Sequence, residues 1–387
     1  MRLQYETVKS IEELYHLLAD KLSEDIFWAR LQFDFDRCFE NETRLFRLTG
    51  YATEENIKTR MELKDISLQL KEEGKKLFLY GAATSGAIVG SMLLKQGGDF
   101  FAYCARNHEK YVNGVNGKQV YSPDFVFEHP QECHVLISST TTASEIYDIL
   151  MEHQFPKERV YVLSNIAATQ NMISRQYFEF PEMFPKGKAF VDGGCFDCET
   201  SKKFAVWCND DYSKIFAFEP DPKNYQKCLD ISANSKLRLE LIPSGLSEEA
   251  GTVRFAGDRS GGSFVVEEAR EKQDGLFNMN RGKVVANEIV IQTVPLDDVV
   301  KDEAVGFIKM DIEGSELSAL HGAEKTILRD KPLMAICVYH RCGDVLTIMD
   351  YLHRLVPEYR FWLRQYSMVG TETVLYASVE QQNCKDD

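Results

Sequence analysis

Nothing in this 387-residue chain matches the uninterrupted apolar run, about 18 residues or more, that a membrane-spanning helix requires. An apolar core near the start is also missing: MRLQYETVKSIEELYHLL carries acids where a secretory leader is apolar. Basic residues are in deficit, with 45 Lys and Arg against 60 Asp and Glu and a formal net charge of -15. A surface that acidic repels phosphate backbones, which argues against a broad nucleic-acid footprint. Long single-sign blocks are absent, so the charge reads as a solvated surface. No internal repeat is evident. The ten cysteines lack the paired spacing of a metal framework. Cys195 and Cys198 make one C-x-x-C, and a zinc or redox role requires a second pair nearby. Cys337 and Cys342 are the only other close pair and fit zinc spacing poorly, so no metal site is assigned. Most cysteines fall in strand- or helix-like segments, the pattern of buried thiols in a reducing cytoplasm, and a cytoplasmic location is expected.

What is present is an alternation of strands and helices. The length exceeds the roughly 250 residues of one core, so two domains are the default. Residues 1–74 read as a helical lead-in, with Ile11, Leu14, Leu17 and Leu18 forming an apolar stripe. It is expected to pack on the next domain, or on a second copy in a homo-oligomer. Residues 75–166 alternate KLFLYG, SGAIVGSMLLKQ, FFAYCA, HVLISS, TASEIYDILMEH and RVYVLS, the pattern of a parallel sheet in a small Rossmann-like unit. Residues 167–186 break the pattern with RQYFEFPEMF between polar ends. An ordinary linker is polar, so this aromatic one should lie against a surface, over the second unit's cleft. Residues 187–387 restart the alternation. Five strands suit a parallel order, TVRFA, GSFVVEE and NEIVIQTV suit an antiparallel insertion with a mobile Gly261-Gly262 turn, and RFWLRQYS with TVLYASV suits a closing hairpin. The fold class is therefore α/β: two Rossmann-like domains behind a helical N-terminal segment.

Three strand ends carry chemistry. In FVDGGCFDCET an apolar strand ends at Asp192 and turns through Gly193 and Gly194 into a helix. Glycine there permits positive φ and lets a ligand approach the backbone. Ligands of such sheets bind at the carboxyl ends of the strands. IFAFEPDP puts Glu219 at the next strand end, about 20 residues on, where an acid accepts ribose hydroxyls; alone, it would read as a surface acid. FIKMDIEGSE places Asp311 and Glu313 at a strand end facing the same cleft. Two such carboxylates orient a substrate, bind a metal or steer an amine, while Glu313 also suits capping of the following helix. His340 ends the fifth strand. It is either a proton acceptor or a histidine bonded to backbone. Tyr339 and Arg341 should point away from it by alternation. In the first unit, YGAATSG resembles a dinucleotide turn, with Ala83 in a glycine position, and no acid follows CARN to hold a ribose. Either a nucleotide site near Gly81, Ser85 and Gly86 or a degenerate docking domain fits.

The stretch 189–378 resembles the FkbM family of methyltransferases. FVDGGCFDCET, IFAFEPDP, PSGLSEEAGTVRF, TVPLDDVV, FIKMDIEGSELSALHGAEKTI and PLMAICVYH follow in order. The resemblance implies a class I methyltransferase sheet with an antiparallel last strand. It implies S-adenosylmethionine as cofactor and an acceptor hydroxyl on a saccharide, glycoconjugate or secondary metabolite. On this resemblance the donor contacts are Asp192, Gly193, Gly194, Cys195, Glu219, Pro220, Leu246 and Asp311, and the catalytic group is Asp311, Glu313 and His340. A metal-assisted variant would need those three within reach of one ion. One departure stands out: Cys198 occupies a loop position where the family usually has glycine. Two other readings compete: a nucleotide-dependent sugar oxidoreductase or epimerase driven by the first unit, and a non-catalytic S-adenosylmethionine-binding protein.

Overall fold

The computed structural model describes residues 11–139, 142–165, 169–257, 263–265 and 288–379. Asp20 and Thr53 cap the helices Lys21–Phe35 and Glu54–Glu72, with the helix Phe39–Leu48 between them. Each cap side chain accepts a backbone N–H three residues on, Ser23 at 2.8 Å and Asn56 at 3.2 Å, which satisfies a donor the helix leaves open. Strands β1 (Lys76–Tyr80), β2 (Ala102–Cys104), β3 (Val120–Tyr121), β4 (Cys133–Ile137) and β5 (Val160–Val162) then form a parallel sheet ordered β3-β2-β1-β4-β5. The two-residue β3 is too short to leave a periodic signal in the sequence.

The second sheet begins with β6 (Ala189–Gly193), β7 (Ile215–Phe218) and β8 (Leu239–Ile242). The run LRLELIPSGL reads as one strand in the sequence, and it is not one. Pro243 interrupts it, and β9 (Gly245–Leu246) leaves to join a small separate sheet. There β9 pairs with β12 (Glu288–Val294), which lies antiparallel to β10 (Gly251–Gly257), itself paired with β11 (Ser263–Val265). The antiparallel insertion is thus present, while the Gly261-Gly262 turn lies outside the described residues. The chain returns through β13 (Val305–Met310), β14 (Leu333–Cys337), β15 (Tyr359–Gln365) and β16 (Thr373–Val379). The order is β15-β16-β14-β13-β6-β7-β8, with five central parallel strands and an antiparallel terminal hairpin. The sequence pattern suits one helix over 315–329, and the structure has two, Glu316–His321 and Glu324–Asp330. They part at Gly322, where a Cβ would lie 2.1 Å from Ser247 O.

The leading helices touch both sheets. Ser23 Oγ accepts the Leu363 N–H of β15 at 2.9 Å, and Arg364 holds Asp20 at 2.7 Å. Arg60, fully buried, donates to Leu163 O, to Met368 O and to Glu42 at 2.6 Å. Burial pushes the Glu42 carboxyl up to about 7 against the pull of Arg60. The linker aromatics pack as their composition demands: Phe178 on Trp207, Phe184 on Phe204 and Phe180 on Tyr376, with ring centroids 5.4, 5.3 and 5.1 Å apart. They cover one face of the second sheet.

Candidate functional site

The glycine turn at the end of β6 is held from beneath by a lysine. Lys309 on β13 is the register partner of Asp192, and its Nζ lies 3.0 Å from Asp192 Oδ1. The same ammonium donates to Gly193 O at 3.0 Å and Gly194 O at 2.9 Å. Ser201 Oγ donates to the other Asp192 oxygen at 2.8 Å. Asp192, expected to meet a ligand, is fully buried with both oxygens engaged. Its charge is spent on the lysine that shapes the loop. Burial disfavours the charge on Lys309, but Asp192 and Asp311 outweigh it and hold the ammonium form firmly. Gly194 has φ +76, and a Cβ there would fall 2.1 Å from Asp311 O, so only glycine fits. Gly193 faces Leu246, whose Cδ1 would lie 3.0 Å from an added Cβ, and Pro220 rests against Gly245. Cys195 is buried. Its N–H and that of Gly194 both donate to Phe218 O.

Cys198 adopts φ +59, the left-handed conformation that glycine enters most easily, so the cysteine stands where the backbone favours glycine. Its thiol and that of Cys228, on the helix Pro222–Ala233, both approach Cys195. Glu219, at the end of β7, accepts the N–H of Phe196 at 3.0 Å and of Asp221 at 2.8 Å. Burial pushes its carboxyl up to about 7 against those two donors. Each oxygen keeps a second lone pair, enough for a diol.

The second cluster lies at the ends of β13 and β14. His340 is almost enclosed: Nδ1 sits 2.9 Å from Glu316 Oε1, and Nε2 sits 3.4 Å from Asp311 and 3.8 Å from Glu313. Burial alone would depress the imidazole, but Glu316, Glu313 and Asp311 outweigh it and raise its pKa well above the ordinary value. Three carboxylates around the ring favour its protonated form, which weighs against the expected proton-accepting role. Burial also opposes the charge of Asp311, yet His340 and Lys309 hold its carboxyl below the usual range. Tyr177 donates to Asp311 at 2.7 Å and Tyr339 at 3.2 Å. Tyr339 was expected to point away, but β14 ends at Cys337 and strand alternation stops with it. Glu313 has φ +58 and precedes the helix. The acid bonded to the helix entry is Glu316, which accepts the Ile312 N–H at 2.9 Å. Sequence reasoning named Asp311, Glu313 and His340 but missed Lys309, Glu316, Tyr339 and Glu372. The last lies beside Gln176, and burial raises its pKa to about 7.

His340 sets a pH dependence. Below about pH 6.5 the ring is charged both folded and unfolded, and its ion pairs contribute in full. Because the folded pKa is raised, that contribution is lost as pH climbs through it. Wild-type stability to urea should decline from neutral to alkaline pH relative to His340→Gln; parallel curves would refute the ion-pair account.

In the first sheet the glycines are explained by packing. A Cβ at Gly86 would strike Gly81 O at 1.9 Å, and one at Gly81 would crowd Ser139 at 3.1 Å. Arg106 pairs with Glu145 at 2.7 Å.

The profile of the family described as "Methyltransferase FkbM domain" matches residues 194–366, a span that begins at Gly194 and includes Glu219, Asp311 and His340. Residues 194–366 are thus similar to an FkbM methyltransferase domain. The curated relative Methyltransferase sdnD from Sordaria araneosa is 28% identical over 135 residues, covering 29% of this chain and 52% of that protein. The match thus spans about half the length of that relative. Methyltransferase FkbM from Methylobacillus flagellatus KT is a solved structure 18% identical to this chain, covering 92% of this chain and 99% of that one, with a TM-score of 0.46. The S-adenosylhomocysteine-bound methyltransferase PaMTH1 from Podospora anserina is 12% identical, covering 66% and 94%, with a TM-score of 0.30. No described helix is long and apolar enough to cross a membrane.

Proposed function

We propose that this chain is an S-adenosylmethionine-dependent O-methyltransferase acting on a hydroxyl of a saccharide, glycoconjugate or secondary metabolite, with the methyltransferase domain over 187–387. The observation that carries the reading is the placement of Glu219 and Asp311 at strand ends on either side of the Gly193-Gly194 turn. The chemistry of these groups suits the cofactor. A carboxylate with spare lone pairs matches a ribose diol, and a cleft holding Asp311, Glu313 and Glu372 matches a cationic sulfonium and ammonium. Leu246 and Pro220 would wall the adenosine side. Bound there, the cofactor supplies an electrophilic methyl group on a good leaving group.

The chain's own residues then align the acceptor and take its proton. Asp311 is the proton acceptor in this reading, because it is ionised and partly exposed. Tyr177 and Tyr339 fix its orientation through their hydroxyls. His340 is a positioning residue whose positive charge keeps Asp311 deprotonated. The linker residue Tyr177 lies over Asp311 and shields it from water.

Donor binding gives the direct test. Glu219→Ala should weaken S-adenosylhomocysteine binding at least tenfold, about 1.5–3 kcal/mol for charged hydrogen bonds. Wild-type affinity should also fall as pH drops below about 7, where the Glu219 carboxyl takes up a proton, a trend the variant loses. Unchanged affinity in a folded Glu219→Ala sample, measured by calorimetry, would remove Glu219 from the donor site. Saccharides and glycolipids screened with labelled donor identify the acceptor.

A further inference from the structure

Three of the ten cysteines converge behind the donor turn. Cys195 and Cys198 lie on the loop that links β6 to the helix Glu199–Trp207, and Cys228 comes from the helix that follows Glu219. The Cys195 sulfur is 3.8 Å from that of Cys228 and 3.8 Å from that of Cys198. All three side chains are buried, at 1%, 0% and 0% exposure. The sequence offered only the C-x-x-C. The third thiol arrives from 30 residues downstream of Cys198 because β6 and β7 are neighbours in the sheet.

We propose that Cys195, Cys198 and Cys228 form a trithiolate site for a soft, thiophilic metal ion, zinc or cuprous copper. A metal–sulfur bond of about 2.3 Å in tetrahedral geometry sets neighbouring sulfurs about 3.8 Å apart, the separation found here. Soft thiolates select these ions over magnesium or calcium, which prefer oxygen. Three thiols from two elements enclose the ion from one side, and no carboxylate belongs to the set. Binding exchanges thiol protons for the metal and releases them to solvent; no electron moves.

The site ties the two donor-side segments together. Phe196, between the two loop cysteines, donates its N–H to Glu219 and receives the Cys228 thiol on its carbonyl at 3.4 Å. A bound ion would fix the glycine turn to the helix after β7 and hold Glu219 in place between them.

The test uses the reduced full chain. One equivalent of cobalt(II) should give a near-ultraviolet sulfur-to-metal charge-transfer band that zinc removes. In a parallel arm, the protein should hold one equivalent of cuprous ion against a bathocuproine chelator. Either arm alone supports the site and names the ion. Cys228→Ser keeps the side-chain size, and Cys198→Gly suits the left-handed backbone, so at least one folded variant is secured. Each should lose at least tenfold in metal affinity, while Cys342→Ser, at an exposed thiol, should match wild type. Silence in both arms, or equal binding by the folded variants, overturns the proposal. S-adenosylhomocysteine titration of the same samples separates this outcome from failure of the donor site. Intact donor binding beside absent metal binding refutes only the trithiolate.

Discussion

Replacing Lys309 with methionine is expected to destabilise the protein by about 3–5 kcal/mol, the usual loss when one partner of a buried ion pair is removed. Asp192 would lose its cationic partner in a fully buried position, with only Ser201 left as a donor. The carbonyls of Gly193 and Gly194 would lose their shared ammonium at the same time. The turn that approaches Asp311 would then be held by its N–H bonds to Phe218 O and by the Asp311 N–H on Gly193 O, and donor affinity should fall with stability. Denaturant titration supplies the measurement. The double variant Lys309→Met with Asp192→Asn should recover much of the loss, because no unpaired charge remains. A single variant as stable as wild type would refute the account; a single variant that fails to fold is resolved by whether the double variant folds.

Asp311→Asn should lower kcat by about 10²–10⁴-fold, the range for removal of a proton acceptor. The amide keeps the shape and one of the two phenol hydrogen bonds, since Tyr177 and Tyr339 donate to different oxygens and one of these becomes an NH2, and it no longer accepts a proton. His340→Gln gives the discriminating result. If His340 acts through its charge, its loss lets the Asp311 pKa rise and shifts the acid limb of the pH–rate profile upward, with activity retained at high pH. If His340 were itself the base, activity would be lost across the whole profile. Wild-type kcat in Asp311→Asn would place proton acceptance on another group.

Some of this site was legible in the sequence. Asp192, Glu219, Asp311 and His340 were found because an apolar run that ends in a polar residue marks a strand end, and parallel sheets gather those ends on one edge. The terminal hairpin was legible for a similar reason, since no helical pattern separates β15 from β16. Lys309 gave a signal that went unread. A lysine inside VGFIKMD, buried on both faces, must have a partner. Which partner depends on the register of β13 against β6, and register is a tertiary property. Tyr339 was misjudged because alternation was carried past the end of β14. Cys228 and Tyr177 reach the cluster through contacts between distant segments, 33 residues for the thiol pair and 134 for the phenol on Asp311. The balance of charge around His340 was not legible either, because spacing shows which groups gather, not how their charges add up.

The helix Lys21–Phe35 lies along β15, with Ser23 bonded to Leu363 across 340 residues of chain. During synthesis that helix emerges long before the strand it covers. Arg30, whose burial depends on Asp34 beside it and on Gly370 O, must stay hydrated until the last strands are made. The helix is therefore made well before the strand it packs on, and their docking is a long-range contact of the kind that slows folding.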